Sequence, residues 1–240
     1  MRIHVPGQTH TVVSKKYSHE PFTGNILRFA KMMVAQGCEV IEYGNEGSES
    51  EATEHVALRS PEQFESWHPY KDRCEVHPGF DSPSHVGFLA ALRKSMNIRI
   101  CPGDIVVHGF GPAYASLLQA FPEAVHVEPF IGYDSGGFGA TRVFVSETWR
   151  HYHLGRDSQH TTVPARESYV VPPFWDLEDW PLGDGSGGYF AFLGRKCDAK
   201  GLKVMANIIS KYDGPHNFLF AGPGVLRSPS VLGPGRLALG

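Results

Sequence analysis

The residues best suited to chemistry lie in the stretch "FLGRKCDAKG", residues 192–201. A guanidinium at Arg195 and an ammonium at Lys200 follow an apolar run that ends at Leu193, and Gly194 permits a sharp exit. The amphipathic pattern downstream predicts a helix with Asp198 as its cap. Both cations would then lie near a helix N-terminus, where free N–H groups and the macrodipole already favour an anion. Arg offers a fork of donors and Lys a mobile point charge, a pair suited to a diphosphate and to the charge that develops on it as it leaves. On spacing alone, a solvated turn carrying two surface cations is the simpler reading.

Three further candidates sit at predicted strand ends, where parallel α/β sheets bind ligands. His10 follows the first strand in "PGQTHTV", placed to hydrogen-bond a ligand; a surface loop histidine is its plainer reading. His108 ends "DIVVHGFG" and could polarise or bind a hydroxyl, or be a hydrogen-bonded core histidine. Glu128 opens the glycine-rich segment "EPFIGYDSGGFGATR", a candidate ligand-binding carboxylate beside Phe130, Tyr133 and Phe138, which could stack on the apolar face of a ligand. A mobile surface loop is the plainer reading of that segment. "HYH" (His151 and His153) sends its two imidazoles to different helix faces and reads as a surface helix, not a metal site. No GxSxG, HExxH or P-loop occurs, so serine-hydrolase, zincin and P-loop kinase chemistry lack their motifs.

The elements that must position these residues alternate. "RIHVPG" reads as a strand and "GNILRFAKMMVAQG" as a helix whose Ile26, Ala30, Met33 and Val34 share one face, followed by the strand "CEVIEYG". This opening predicts a parallel sheet. Residues 47–81 read as polar and irregular, apart from one helix start where Ser60, Pro61 and Gln63 supply a cap, a first-turn proline and a capping-box partner. "SHVGFLAALRKSM", "AYASLLQAF" and "ETWRHYH" read as helices; "DIVVHGFG", "AVHVEP", "TRVFVS" and "SYVVPPF" read as strands. The pattern predicts a doubly wound domain over residues 1–181, a glycine-rich linker over 182–188 and part of a second Rossmann-like domain over 189–240. In that second part "YFAFLG" and "NFLFAG" read as strands, and Leu202, Met205, Ile208, Ile209 and Tyr212 as one helix face. Its last eighteen residues support at most the short strand "SVLG". So small a unit should leave an exposed sheet edge for a partner chain to cover.

Composition narrows the classes. The 240 residues are 41% hydrophobic with a net charge of −3, which is globular and argues against bulk nucleic-acid binding. Four cysteines without a CxxC pair favour reduced thiols, and the absence of an apolar leader or spanning run leads to the expectation of a soluble, cytoplasmic protein.

"YFAFLGRKCDAKGLKVMANI" resembles the start of the C-terminal domain in retaining glycosyltransferases of GT-B architecture, whose pattern is an apolar strand, G-R-x-x-x-x-K-G and an amphipathic helix. "FLFAGPG" is similar to the family's next strand and glycine turn, "MRIHVPG" to its opening, "DIVVHGFG" to its D-h-h-H-x-H strand through Asp104 and His108, and "YVVPPFWDLEDW" to its pre-linker segment through Pro172, Asp176 and Trp180. The resemblance implies a sugar transferred from a nucleotide-sugar donor to an acceptor hydroxyl, with retention and with no metal or other cofactor. Arg195, Lys200, Gly222, Gly7 and His10 would then bind the donor, and His108 and Glu128 would act on the acceptor side. Three features depart from the pattern: only Gly7 stands where the family has Gly-Gly, Phe110 replaces the second histidine, and an E-x7-E element would fall beyond Gly240. The sequence therefore reads as C-terminally shortened, and a non-catalytic nucleotide- or partner-binding module is the alternative.

Overall fold

A computed structural model describes residues 1–18, 20–68, 79–138, 141–158, 167–175, 177–179, 182–194, 198–222 and 237–239. The chain divides into two compact units, Met1–Asp176 and Leu177–Gly240.

The first unit is a seven-stranded parallel sheet in the order β3-β2-β1-β4-β5-β6-β7. Its strands are β1 (Arg2–Pro6), β2 (Glu39–Asn45), β3 (Glu54–Arg59), β4 (Ile105–Val107), β5 (Val125–Ile131), β6 (Thr141–Phe144) and β7 (Ser168–Val170). The helices are α1 (Pro21–Ala35), α2 (Pro61–Trp67), α3 (Pro83–Asn97), α4 (Leu117–Ala120) and α5 (Glu147–Ser158).

Strand alternation divides the core between two faces. Ile3 and Val5 of β1, Val40 of β2 and Val107 of β4 join Ile26, Ala30, Met33 and Val34 of α1 on one face. Ile41 and Tyr43 of β2 and Val106 of β4 join Phe88, Leu92 and Met96 of α3 on the other. The apolar stripe expected for α1 is thus the one it buries.

The capping box at Ser60 is formed: Gln63 N–H donates to Ser60 Oγ at 3.3 Å and Ser60 N–H to Gln63 Oε1 at 3.0 Å. Two expectations need correction. The stretch taken as irregular contains β3, an edge strand that holds its place through backbone pairing with β2 and therefore needs only a sparse apolar pattern. "AYASLLQAF" is not one helix but a 3₁₀ turn at Gly111–Tyr114 followed by the single turn of α4, with Tyr114 and Leu117 both in the core.

The second unit has a three-stranded parallel sheet, β10-β9-β8, built from β8 (Tyr189–Leu193), β9 (Asn217–Ala221) and β10 (Leu237–Leu239), with α6 (Leu202–Lys211). Its core gathers Ile209, Phe218 and Phe220 with Phe192, Leu202, Met205 and Tyr212. Ile208, expected on the buried helix face, is 47% exposed. The third strand lies at Leu237–Leu239; the stretch "SVLG" is outside the described residues.

Gly222 closes β9 at φ 125°, and a Cβ there would run into the backbone of Gly194, whose N–H donates to Ala221 O at 3.0 Å. Gly222→Ala should therefore destabilise the second unit by about 1–3 kcal/mol, through both φ strain and backbone collision. Chemical denaturation followed by a probe in that unit measures it; an unchanged midpoint would contradict the packing.

Candidate functional site

The sheet order reverses between β1 and β4, and the crevice beyond the carboxyl ends of strands at such a point is where open α/β sheets take ligands. Here that rim is formed by the loop after β1, the end of β2, and His108 directly after β4.

The β1 loop is irregular yet buried: Gln8, Thr9, His10 and Thr11 are each at most 2% exposed. Buried backbone must find partners, and one side chain supplies three of them. Asn45 Nδ2, at the end of β2, donates to the carbonyls of Gln8 (3.1 Å), Thr9 (3.2 Å) and Thr11 (2.8 Å). Gln8 Nε2 donates to Glu20 Oε2 at 2.6 Å, and the same carboxylate caps α1 by accepting the Thr23 N–H at 2.7 Å. Gly7 donates its N–H to Tyr43 O at 2.6 Å and accepts from the Tyr114 hydroxyl at its carbonyl. A Cβ at Gly7 would lie 3.0 Å from Tyr43 O and 3.2 Å from Val13 Cγ2. The backbone of Gly7 is therefore engaged within the fold, and the position serves close packing. His10 sits in the buried loop with its ring centroid 6.1 Å from that of Phe110.

His108 is fully buried, its Nε2 2.9 Å from His126 Nδ1, and His126 Nε2 is 2.9 Å from Phe121 O. A carbonyl can only accept, so with both rings neutral His126 carries its proton on Nε2 and presents a lone pair at Nδ1. His108 must then donate from Nε2, which leaves its Nδ1 as an acceptor. Burial, and secondarily the neighbouring His126, push the His108 pKa down to about 3. A group so acidic when protonated is a poor general base near neutrality but remains a fixed, uncharged acceptor.

Glu128, at 0% exposure, is tied to its own loop. Its carboxylate accepts the N–H of Gly137 (2.8 and 3.0 Å), the N–H of Phe138 (3.1 Å) and the Tyr133 hydroxyl (3.2 Å). From α5, His153 Nε2 donates to Tyr133 O at 3.0 Å, and Arg156 donates to the carbonyls of Asp134 and, at 2.9 Å, Gly136. The segment expected to be a mobile surface loop is thus held by its donors on one side and by its acceptors on the other. His153, expected on a surface helix, is buried among these contacts, and burial lowers its pKa. The loop presents Tyr133 edge-on to Phe22 at 5.5 Å, and Phe138 edge-on to His108 at 5.2 Å. Phe130, at the β5 bulge, adopts φ 61°, a costly angle for a non-glycine residue, with Phe29 and Phe174 rings 6.0 and 6.3 Å away.

In the second unit, Lys200 is exposed in the 3₁₀ turn Asp198–Lys200 that precedes α6. Asp198 is not the helix cap: it pairs with Lys203 Nζ at 2.7 Å, and Gly201, at φ 84°, occupies the cap with no side-chain acceptor. Lys200 therefore lies one residue before the α6 cap, which has no side-chain acceptor among the described residues. Gly222 packs against Gly194 at the ends of β9 and β8. Arg195, Asp176 and Trp180 lie outside the described residues.

The sequence reading missed Asn45, Tyr114, Glu20, His126 and Arg156. Only His126 carried a signal, as a polar residue inside the otherwise apolar "AVHVEP".

The chain is similar in fold to two solved structures. One is the N-terminal domain of Candida albicans trehalose-6-phosphate phosphatase (TM-score 0.54, 12% identity), of which it covers 66% with 96% of its own length. The other, described as trehalose-6-phosphate from E. coli bound with UDP-2-fluoro glucose (TM-score 0.55, 13% identity), is covered to 64% by 92% of this chain. The chain thus spans a little under two thirds of each. No family model and no curated protein sequence matches it. These likenesses establish an α/β, Rossmann-type fold of the GT-B kind, as expected from the strand and helix pattern. Among the described residues, no helix is long and apolar enough to cross a membrane.

Two outcomes follow from the rim. The His108 pKa is depressed in the folded state, so the unfolded chain binds the extra proton first. Stability should therefore fall as pH drops below about 6.5, by about 1.4 kcal/mol per unit from this one group, until the folded value is reached. His108→Asn should remove one proton from that slope in pH-dependent denaturation; an identical slope would refute the buried neutral state. Separately, Glu128→Ala should leave the Gly137 and Phe138 amides without their acceptor, costing about 1–3 kcal/mol and speeding their hydrogen exchange.

Proposed function

We propose that the protein is a glycosyltransferase that moves a sugar from a nucleotide-sugar donor to an acceptor hydroxyl, with the acceptor taken at the rim of the first unit and the donor diphosphate at that of the second. The observation that carries this reading is the reversal of strand order at β1/β4, with a rigid, buried polar loop and an uncharged histidine acceptor beside it. The likeness to a structure holding UDP-2-fluoro glucose supports a nucleotide sugar as donor.

In this reading Lys200 and the α6 N-terminus meet the diphosphate together with Arg195, and neutralise charge as it departs. His108 contributes a hydrogen-bond acceptor through Nδ1, not a proton shuttle, since it stays neutral across the physiological range. Glu128 fixes the 132–138 loop and so shapes the rim that meets the acceptor.

The test is nucleotide release from a panel of nucleoside-diphosphate sugars in the presence of candidate acceptors. Lys200→Ala, at an exposed position, should lower kcat/KM by about 10–100-fold with the melting temperature unchanged, the loss of one charge-assisted contact. No nucleotide release by the wild-type chain with any donor, or full activity in the variant, would reject the assignment.

A further inference from the structure

Four buried polar atoms around the β1/β4 rim fall on one side of the donor–acceptor divide. Gln8 Oε1, Asn45 Oδ1, Glu42 Oε1 and His108 Nδ1 each lack a hydrogen-bond partner among the described residues, and the residues that carry them are at most 1% exposed. All four are acceptors. The two amides cannot be turned to change this: flipping Gln8 would set its oxygen against the Glu20 carboxylate, and flipping Asn45 would set its oxygen against three carbonyls. The histidine is fixed in the same sense by the relay through His126 to Phe121 O.

These residues occupy the C-terminal halves or ends of β2, β1 and β4, three adjacent strands that span about 10 Å at ordinary strand spacing. The charges agree. Glu20 and Glu42 are buried and form no ion pair with a Lys or Arg among the described residues; Glu42 meets only His55 Nδ1 (2.7 Å) and Ser50 Oγ (3.2 Å). Nearby guanidiniums are turned elsewhere. Arg59 donates to Ser84, and Arg28 donates to Asn25 and stacks on Trp175. Arg142 Nε, an unpartnered buried donor among the described residues, is on β6, two strands beyond β4, in a side chain paired with Asp157. A phosphate needs donors and positive charge; these four atoms offer neither. Aromatic edges complete the rim: Phe110 is buried, and Phe80, half exposed, lies 6.2 Å from it edge-on.

We propose that the rim of the first unit binds a hydrogen-bond-donating, non-phosphorylated sugar, whose hydroxyl or amino groups donate to Gln8, Asn45, Glu42 and His108 while its C–H face rests on Phe110 and Phe80. This deepens the transferase reading by naming the class of its acceptor. An orphaned buried acceptor costs stability that a donating ligand recovers, whereas an anionic sugar meets lone pairs and carboxylates.

The test uses the full chain with no nucleotide present. Binding of methyl glucoside, glucosamine and glucose 6-phosphate is measured by calorimetry or ligand-observed NMR, with inorganic phosphate as a fourth probe. The neutral sugar, the amino sugar or both should bind at least about tenfold more tightly than the phosphorylated one, a gap of about 1.4 kcal/mol. The ¹⁵N resonance of His108 Nδ1 should move on binding as its lone pair accepts a proton donor, a signature that reports on this site in the wild-type fold. Equal or tighter binding of glucose 6-phosphate or phosphate, no sugar binding at millimolar concentration, or binding that leaves His108 Nδ1 unmoved would each overturn the proposal. A chain that binds the glucoside but releases no nucleotide keeps this inference and loses the transferase reading; one that glycosylates only phosphorylated sugars does the reverse.

Discussion

One carboxamide organises the first unit. Asn45 stands at the end of β2, and its two N–H bonds are shared among three carbonyls of the loop that follows β1. An irregular loop can be buried only if its polar backbone is satisfied, because an unmade hydrogen bond in the interior costs more than a made one contributes. Together with the Tyr114 hydroxyl on Gly7 and the Glu20 carboxylate on Gln8, this arrangement lets a segment without secondary structure lie in the crevice where the sheet order reverses. The loop brings its side chains to the rim because its backbone is already held.

The same economy recurs on the other side of β4. Residues 132–138 have their amides on Glu128 and their carbonyls on His153 and Arg156, so both halves of the backbone are held by opposite chemistry from opposite elements. Between the two loops, the relay from His108 through His126 to Phe121 O fixes an orientation and, with both rings neutral, a tautomer. The Phe130 backbone strain marks the bulge in β5, after which the ladder resumes at Ile131 opposite Phe144, and the Phe29 and Phe174 rings flank its side chain.

Periodic features were legible in the sequence because periodicity is a local property. The α1 stripe, the Ser60 capping box and the alternation along β1, β2 and β4 can each be read within about a dozen residues, and together they imply a doubly wound sheet. What escaped was non-local. Asn45 looks like a strand-end residue until a loop some thirty-five positions earlier folds over it, and Tyr114 shows no sign of its bond to Gly7 across 107 positions. β3 escaped because an edge strand is specified by the neighbour it pairs with. His108 was expected at a strand end, which is where the structure has it, whereas Glu128, expected there too, lies within β5; their partners, which decide what each can do, lie on other elements. Asp198 misled because an acidic residue before a helical pattern resembles a cap, yet the chain inserts a 3₁₀ turn and a left-handed glycine before α6 begins.

The two units differ in the kind of hydrogen-bonding capacity they leave open. The first offers lone pairs: two amide oxygens, a carboxylate oxygen and an imidazole nitrogen, with its guanidiniums engaged elsewhere. The second offers donors, in an α6 N-terminus that no side chain among the described residues caps and an exposed ammonium one residue before that cap. Hydroxyl groups and phosphates sort themselves between such surfaces by elementary complementarity, since a phosphate oxygen can only accept at neutral pH while a sugar hydroxyl can donate. A lone-pair-rich rim therefore suits a hydroxyl, and a donor-rich helix end suits a diphosphate. Under the transferase reading, this asymmetry specifies which substrate each half should hold without appeal to any single catalytic side chain.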